Sequence, residues 1–351
     1  MPTTTQPLRE RLEQKIYGFG LTIWKEKWEG GNLERWLSNF RDDDSRRQEA
    51  QELNMLFLLS KFMFFGSSQV RELLLSLYRD LYKYPIIEKI RKLNLDTTDA
   101  AFLTEGFNRE LRSMRFLGVG NPSESGVHLL YYFRQENKLH KDLFINSSEV
   151  FVRKGAEHRF RFVAALVRRF PKLHRFIPRS RFYTEVADPT IARYVFIDDI
   201  CGSGSQARGY LGKLVKDLKI VNPQAEVSYF MLFGTEKGVK NVKALGIFDR
   251  VEAVFTIDDS FRAFSRDSRY YKYVPDRTAI KRLFARSVAE TKGALLVHGT
   301  VNETYPLGWA DGQLLLALFH NTPDNTLPIF WGETSNWFPI FKRYDKIYSL
   351  P

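Results

Sequence analysis

The segment Arg193–Leu211, RYVFIDDICGSGSQARGYL, constrains the fold of this chain more than any other. Four apolar or aromatic residues run into two adjacent aspartates. Five small residues follow, and then a helix-like stretch. A buried strand that passes through a small-residue loop into a helix is the building unit of an open parallel sheet. Further units of the same kind should flank it.

They do. MRFLGVG reads as a first strand, NPSESG as a loop of turn formers, and VHLLYYFRQENKL as a helix. DLFINSSEVF reads as a second strand. Residues 153–182 form a basic insertion with ten Lys or Arg against one Glu. RYVFIDD is the third strand and SQARGYLGKLVKDL its helix. EVSYFMLFG and TEKGVKNVKAL form the next pair, and RVEAVFTIDD is the fifth strand. Alternation of strand and helix predicts an α/β fold with a doubly wound parallel sheet. Strands rich in Val, Ile and Phe fit burial on both faces.

The flanks differ from this core. Residues 8–95 read as helical, with apolar residues at helical spacing in NMLFLLSKFMFFG and SSQVRELLLSLYRDLYKYPIIEKIRKL. The aromatic stripe Tyr78, Tyr82 and Tyr84 reads as core or interface. From about residue 293 the chain is strand-prone, aromatic and rich in Asn, Pro and Thr, and it holds three of the six tryptophans. The division is an N-terminal helical domain at 1–100, an α/β core at 101–290 and a C-terminal extension at 291–351.

The 351 residues carry a formal charge of +12, which favours an anionic partner: a nucleotide, a phosphorylated metabolite or a nucleic acid. The lone cysteine, Cys201, excludes an intrachain disulfide and a cysteine-based zinc site. The N-terminus lacks the apolar core of a signal peptide, and the longest apolar run, near residues 55–66, is too short to span a bilayer and contains Lys61. A soluble, cytoplasmic protein with no membrane partner is expected.

In open parallel sheets, ligands bind at the carboxyl ends of the strands. There, Gly202 and Gly204 let the backbone approach a ligand. Backbone N–H groups and the Ser203 and Ser205 hydroxyls make a cradle for an anion, naturally a phosphate. Three readings compete for the whole motif. Gly202-x-Gly204-x-x-Ala207 fits a loose dinucleotide fingerprint, but Asp198 and Asp199 would repel the pyrophosphate. A metal-binding Asp pair requires both side chains on one side, whereas adjacent strand residues point to opposite faces unless the strand ends there. A sugar phosphate uses every residue: carboxylates accept from vicinal hydroxyls, and the loop holds the phosphate.

VFIDDICGSGS resembles the phosphoribosyl pyrophosphate (PRPP) motif of type I phosphoribosyltransferases, and the order of elements from 116 to about 258 agrees with that family. The resemblance implies that Asp198 and Asp199 contact the ribose hydroxyls and act in catalysis, and that Cys201, Gly202, Ser203, Gly204 and Ser205 hold the 5′-phosphate. It also implies a pyrophosphate loop at Gly120, Asn121, Pro122, Ser123, Glu124 and Ser125. The basic insertion takes the place of a mobile flap, with Arg153, Lys154, His158 and Arg159 meeting pyrophosphate. The chemistry implied is displacement at the anomeric carbon, with Mg²⁺ bridging pyrophosphate and ribose and no metal ligand direct from the chain. Gly202 stands where many metabolic members carry Thr or an Asp general base, so the acceptor is open.

A narrower resemblance rests on LLSKFMFFGSSQVRELLLSLYRD, FIDDICGSGSQA and PLGWADGQLLLALFHNTPDNTLPIFW. These are similar to phosphoribosyltransferase-like proteins with a C-terminal extension from bacterial defence systems, some beside a retron reverse transcriptase. That implies an antiphage effector, with a reverse transcriptase and its RNA–DNA or another defence protein as partner. Two other readings stand beside the enzyme: a PRPP- or nucleotide-sensing regulator, and a nucleic-acid or complex-assembly module using the basic insertion. Elsewhere, Asp258 and Asp259 read as helix caps and FGTEKG as a turn or pocket wall. Arg112 and Arg115 are arginines that could reach pyrophosphate but more commonly form surface salt bridges. His298 and His320, with no acidic or Cys partner at ligand spacing, read as structural.

Overall fold

Eight strands lie among the described residues of the computed structural model, which are 7–120, 124–155, 182–272, 278–296 and 305–344. They are β1 (Met63–Phe65), β2 (Met114–Gly118), β3 (Phe151–Gly155), β4 (Phe182–Val186), β5 (Arg193–Cys201), β6 (Glu226–Thr235), β7 (Arg250–Ile257) and β8 (Leu316–Leu318). The central sheet has the order β2-β5-β6-β7, with every pairing parallel. Period-two alternation places Tyr194 and Phe196 of β5 on one face with Tyr229 and Met231 of β6. Val195 and Ile197 face the other way with Phe230 and Leu232. Both faces are buried, which is why these strands read as continuous apolar runs.

The helix Ser205–Val221 covers the first face through Ala207, Leu211, Val215 and Leu218, spaced at helical intervals. The helix Ser125–Glu136 covers the second with Leu129 and Phe133. The α/β fold with a parallel sheet and helices on both faces is therefore present.

The expected second strand is reduced to one parallel bridge, Phe144 to Phe116. Two 3₁₀ turns flank it, Lys141–Leu143 behind a His140 cap and Ser147–Glu149 with an Asn146–Glu149 capping box. These local caps compete successfully with a ladder. Counting that bridge as the second of five, the sheet order is 2-1-3-4-5, a common doubly wound order. Its switch point lies between β2 and β5.

The N-terminal segment and the extension do not keep separate cores. Leu12, Trp24, Trp36, Met55 and Phe62 pack with Leu315, Ala317, Ile329, Phe330 and Phe341 in one cluster. β1, inside a region that reads as wholly helical, pairs in parallel with β8 of the extension. Among the described residues the strand-prone tail otherwise forms loops and two short helical turns, Trp309–Asp311 and Pro328–Trp331, as its Gly, Pro and Asn content dictates. Leu314, Leu316 and Leu318 are at most 1% exposed, so the extension is anchored in the core. A helical stretch runs from Ser67 to Leu93 through a π segment at Leu77–Lys83. Its Tyr78 and Tyr82 are buried as expected, while Tyr84 is exposed.

Candidate functional site: a crevice at the switch point of the sheet

β5 is longer than its hydrophobic run. It continues through both aspartates to Cys201, so Asp198 and Asp199 alternate across the sheet. Their carboxyls nevertheless stay within hydrogen-bonding reach of each other, and each has a different outer partner, Tyr229 for Asp198 and His320 for Asp199.

Asp198 lies on the face covered by the helix Ser205–Val221 and is 1% exposed. Tyr229 Oη donates to its Oδ2 at 2.7 Å, and the Asp199 backbone N–H donates to its Oδ1 at 3.0 Å. Burial first, and the neighbouring Asp199 charge second, push its carboxyl well above the ordinary range. Burial and Asp198 likewise push the Cys201 thiol up to about 12, so Cys201 is a buried thiol rather than a nucleophile.

Asp199 faces the helix Ser125–Glu136. Its Oδ2 lies 2.9 Å from His320 Nε2, and its Oδ1 accepts from the Ile200 N–H at 2.8 Å. Burial opposes its charge, but the hydrogen bond and electrostatic pull of His320, with hydrogen bonds to Asp198 and Ser125, outweigh that and hold it down at about 2. Two buried neighbours thus differ sharply: Asp198 favours its proton, and Asp199 its charge.

The loop after β5 is built for a close approach. Gly204 has φ +81°, a left-handed conformation, and it caps the helix Ser205–Val221 without offering a side chain to the first-turn N–H groups. Ser203 Oγ and Ser205 Oγ are 2.9 Å apart. Thr235 Oγ1 donates to the Gly202 carbonyl and Asn241 Nδ2 to the Ser203 carbonyl at 3.0 Å, so the end of β6 and the helix Glu236–Lys243 brace the loop.

On the other side of the crevice, Gly120 has φ +100°. Glu124 is buried and accepts from Gln206 Nε2 at 3.0 Å and from Tyr210 Oη. It therefore ties the loop after β2 to the helix that carries the phosphate loop. Asn121, Pro122 and Ser123 lie outside the described residues.

The basic insertion is entered and left by the antiparallel pair β3–β4, with Arg153 opposite Thr184 and Lys154 opposite Tyr183. Arg153 is exposed. His158 and Arg159 lie outside the described residues. Arg115, at the amino end of β2, is paired with Asp188 at 3.4 Å, on the far side of the sheet from the loops. Asp258 caps the 3₁₀ turn Asp259–Phe261 by accepting from Ser260 N–H at 2.8 Å.

Three residues reach this site from the extension: Trp309, which the sequence did not assign to it, and His320 and Asn325, both in HNTPDNT, a stretch that reads in the sequence equally as approaching the site and as a self-bonded turn. His320 holds Asp199. Trp309 Nε1 donates to Ser203 Oγ at 3.3 Å. Asn325 packs on Gly202 so closely that an added Cβ would sit 1.8 Å from its Oδ1. His320 reads as structural in the sequence for want of an acidic partner at ligand spacing. That partner is 121 residues away, where no local pattern can point to it.

An open parallel sheet with a glycine-bent loop at the carboxyl end of a central strand, beside the switch point, is an arrangement found among α/β proteins whose ligands sit at the strand ends. Within that class, residues 33–343 match the model of the PRTase-CE family. The match takes in most of the chain, extension included, so the chain belongs to this phosphoribosyltransferase-like family. Neither the curated proteins nor the solved structures hold a significant match. No described helix is long and apolar enough to cross a membrane.

Proposed function

We propose that this chain binds a ribose 5-phosphate group, as PRPP or a nucleotide, between the loops after β2 and β5, and transfers or releases the group at its anomeric carbon. The observation that carries the reading is convergence at the switch point. The uncapped loop Gly202–Ser205 and the ionised Asp199 stand beside Glu124 and Ser125, with Gln206 bonded to Glu124 and Ser125 to Asp199.

In this reading the N–H groups opening the helix Ser205–Val221, with Ser203 and Ser205, take the 5′-phosphate. Asp199 accepts from the ribose and places a negative charge near the cation that develops on the ring. Asp198, hydrogen-bonded to both Asp199 and Tyr229, holds the Asp199 carboxyl in place. Gly120 to Ser125 line the pyrophosphate side. Arg153, Lys154, His158 and Arg159 are the proposed partners of the departing pyrophosphate.

Among the described residues no three His, Cys, Asp or Glu side chains form a metal cage. In this reading Mg²⁺ is held mainly by the ligand's own phosphate and ribose oxygens. Bound so, it would offset charge on the leaving group.

A sensing regulator is the second reading, favoured by His320 and Asn325 already lying against Asp199 and Gly202. A role as an antiphage effector, with a reverse transcriptase complex as partner, rests on the resemblance alone. Loss of protection against phage in a strain carrying Asp199→Asn would test it.

The deciding experiment titrates PRPP with Mg²⁺ into wild type and Asp199→Asn, with pyrophosphate release followed over a panel of bases and nucleotides. Binding that falls at least about tenfold in the variant supports the site, in line with losing a charge-assisted hydrogen bond. Turnover then separates enzyme from sensor. Equal binding by both proteins rejects the reading.

A further inference from the structure

A second cavity lies at the amino ends of β2 and β5, the opposite end of the sheet from the phosphate loop. Its volume is about 330 Å³, within the range of small-molecule sites, about 300–1,000 Å³. Arg115 and Tyr194 are register partners on the two strands, so their side chains share a face. Phe144 and Val150, from the segment that carries the two 3₁₀ turns, and Ile191, just before β5, line the cavity as an apolar wall.

Tyr194 gives the cavity its polar point. The residue is 1% exposed, yet its hydroxyl has no hydrogen-bond partner among the described residues. Buried polar atoms are seldom left unpaired, and one that is calls for an explanation. Burial, and then the nearby Asp188 charge, raise its pKa against the pull of Arg115. The hydroxyl therefore stays neutral and can both donate and accept.

Charge decides what this hydroxyl can meet. The described lining carries three carboxylates, Asp142, Glu149 and Asp188, against the guanidinium of Arg115, in a chain whose formal charge is +12. That guanidinium is largely spent on the chain itself: Nη1 donates to the Met114 carbonyl at 2.7 Å and to the Arg112 carbonyl at 3.0 Å. Nη2 reaches Asp188 Oδ2 only at 3.4 Å, longer than the ~2.7–2.9 Å of a full charge-assisted bond. Asp188 Oδ1 accepts from Thr190 N–H at 2.9 Å and Oγ1 at 2.6 Å, so Oδ2 is the oxygen with capacity to spare. An anion entering here would face three carboxylates. A cation finds Tyr194 Oη and Asp188 Oδ2 as acceptors. The carboxylates form no metal cage among the described residues, and the apolar wall asks for a carbon body.

We propose that this cavity binds a small organic cation, a compact apolar body bearing one primary ammonium group. The ammonium donates to Tyr194 Oη and Asp188 Oδ2, and the body packs on Phe144, Val150 and Ile191. Asp142 and Glu149, exposed at the rim, attract the cation on approach. The inference does not draw on the sugar-phosphate reading, and the two stand or fall separately.

The test titrates phenethylammonium, its neutral analogue phenethyl alcohol and its anionic analogue hydrocinnamate into the full chain by calorimetry. The proteins are wild type, Tyr194→Phe, Asp188→Asn and Glu252→Gln. Tyr194→Phe removes the hydroxyl and keeps the packing of the ring. Glu252→Gln removes one unit of charge from β7, on another strand of the sheet. Wild type should prefer the ammonium to the alcohol by about 10-fold or more and should bind the carboxylate least, as expected for hydrogen bonds to a charged group. Tyr194→Phe and Asp188→Asn should each weaken ammonium binding by about 5- to 10-fold, and Glu252→Gln should leave it unchanged. Absence of ammonium binding in wild type, equal binding of the ammonium and the alcohol, or undiminished binding in Tyr194→Phe overturns the assignment. So does an equal loss in Glu252→Gln, which would mark a diffuse effect of net charge.

Discussion

Gly202→Ala is the sharpest probe of how the extension meets the phosphate loop. Gly202 lies outside the left-handed region, so an alanine has no backbone penalty there. The cost is steric. The new Cβ would sit 1.8 Å from Asn325 Oδ1, 2.4 Å from Cγ and 2.7 Å from Nδ2. Asn325 is 5% exposed and its Nδ2 donates to the Trp309 carbonyl at 2.9 Å. Moving it breaks that bond and leaves a carbonyl unpaired, at about 1–2 kcal/mol. Overpacking adds about 1–2 kcal/mol more. Gly202→Ala should therefore destabilise by about 3 kcal/mol, and Asn325→Ala alone by about 1–2 kcal/mol for the lost bond. With Asn325 already truncated the clash disappears. The double variant should then cost little more than Asn325→Ala, a coupling of about 3 kcal/mol, at the upper end of the range for residues in contact. Urea unfolding followed by tryptophan fluorescence and by far-UV circular dichroism reads these values, provided that the two transitions coincide. Additive costs in the double variant would refute the proposed contact.

Two further tests concern charge. Asp199 has its folded pKa depressed, to about 2, so its stabilisation is complete above the ordinary aspartate range and is lost as pH falls through that range towards 2. Wild type should therefore lose about 2 kcal/mol more than Asp199→Asn between pH 5 and pH 2, and parallel acid limbs in the two stability profiles would contradict the assignment. At the other end of β5, Arg193 bonds Glu226 at 2.9 Å and also Glu110, joining two strands and the helix Ala100–Arg112. Arg193→Met should destabilise by about 1–3 kcal/mol yet leave ribose 5-phosphate affinity unchanged, because the strand places it about 20 Å from Asp199. Weakened binding in calorimetry would mean that the two ends of the strand are coupled.

The sequence by itself determined the sheet and the loop that ends its central strand. Apolar runs of Val, Ile and Phe fix strands buried on both faces, and the apolar spacing of SQARGYLGKLVKDL fixes the helix that follows. Both signals are local, and β5, β6, β7 and the helices after β2, β5 and β6 are where those runs lie. The glycines of CGSGS carry their meaning in the same way, since a turn is made by the residues within it. Where local signals compete, the sequence was less legible. The caps around Phe144 broke a strand that hydrophobicity favoured, and three residues of a helical region became β1 because β8 offered a ladder.

Tertiary structure alone decided which side each aspartate faces and what meets it there. Asp198 meets Tyr229 of β6 and Asp199 meets His320 of the extension, partners that the DD dipeptide does not name. His320, Trp309 and Asn325 reached the loop because the extension buries its leucines against strands and helices distant in sequence. A contact of that kind is set by the packing of separate hydrophobic faces, and no spacing within the chain encodes it.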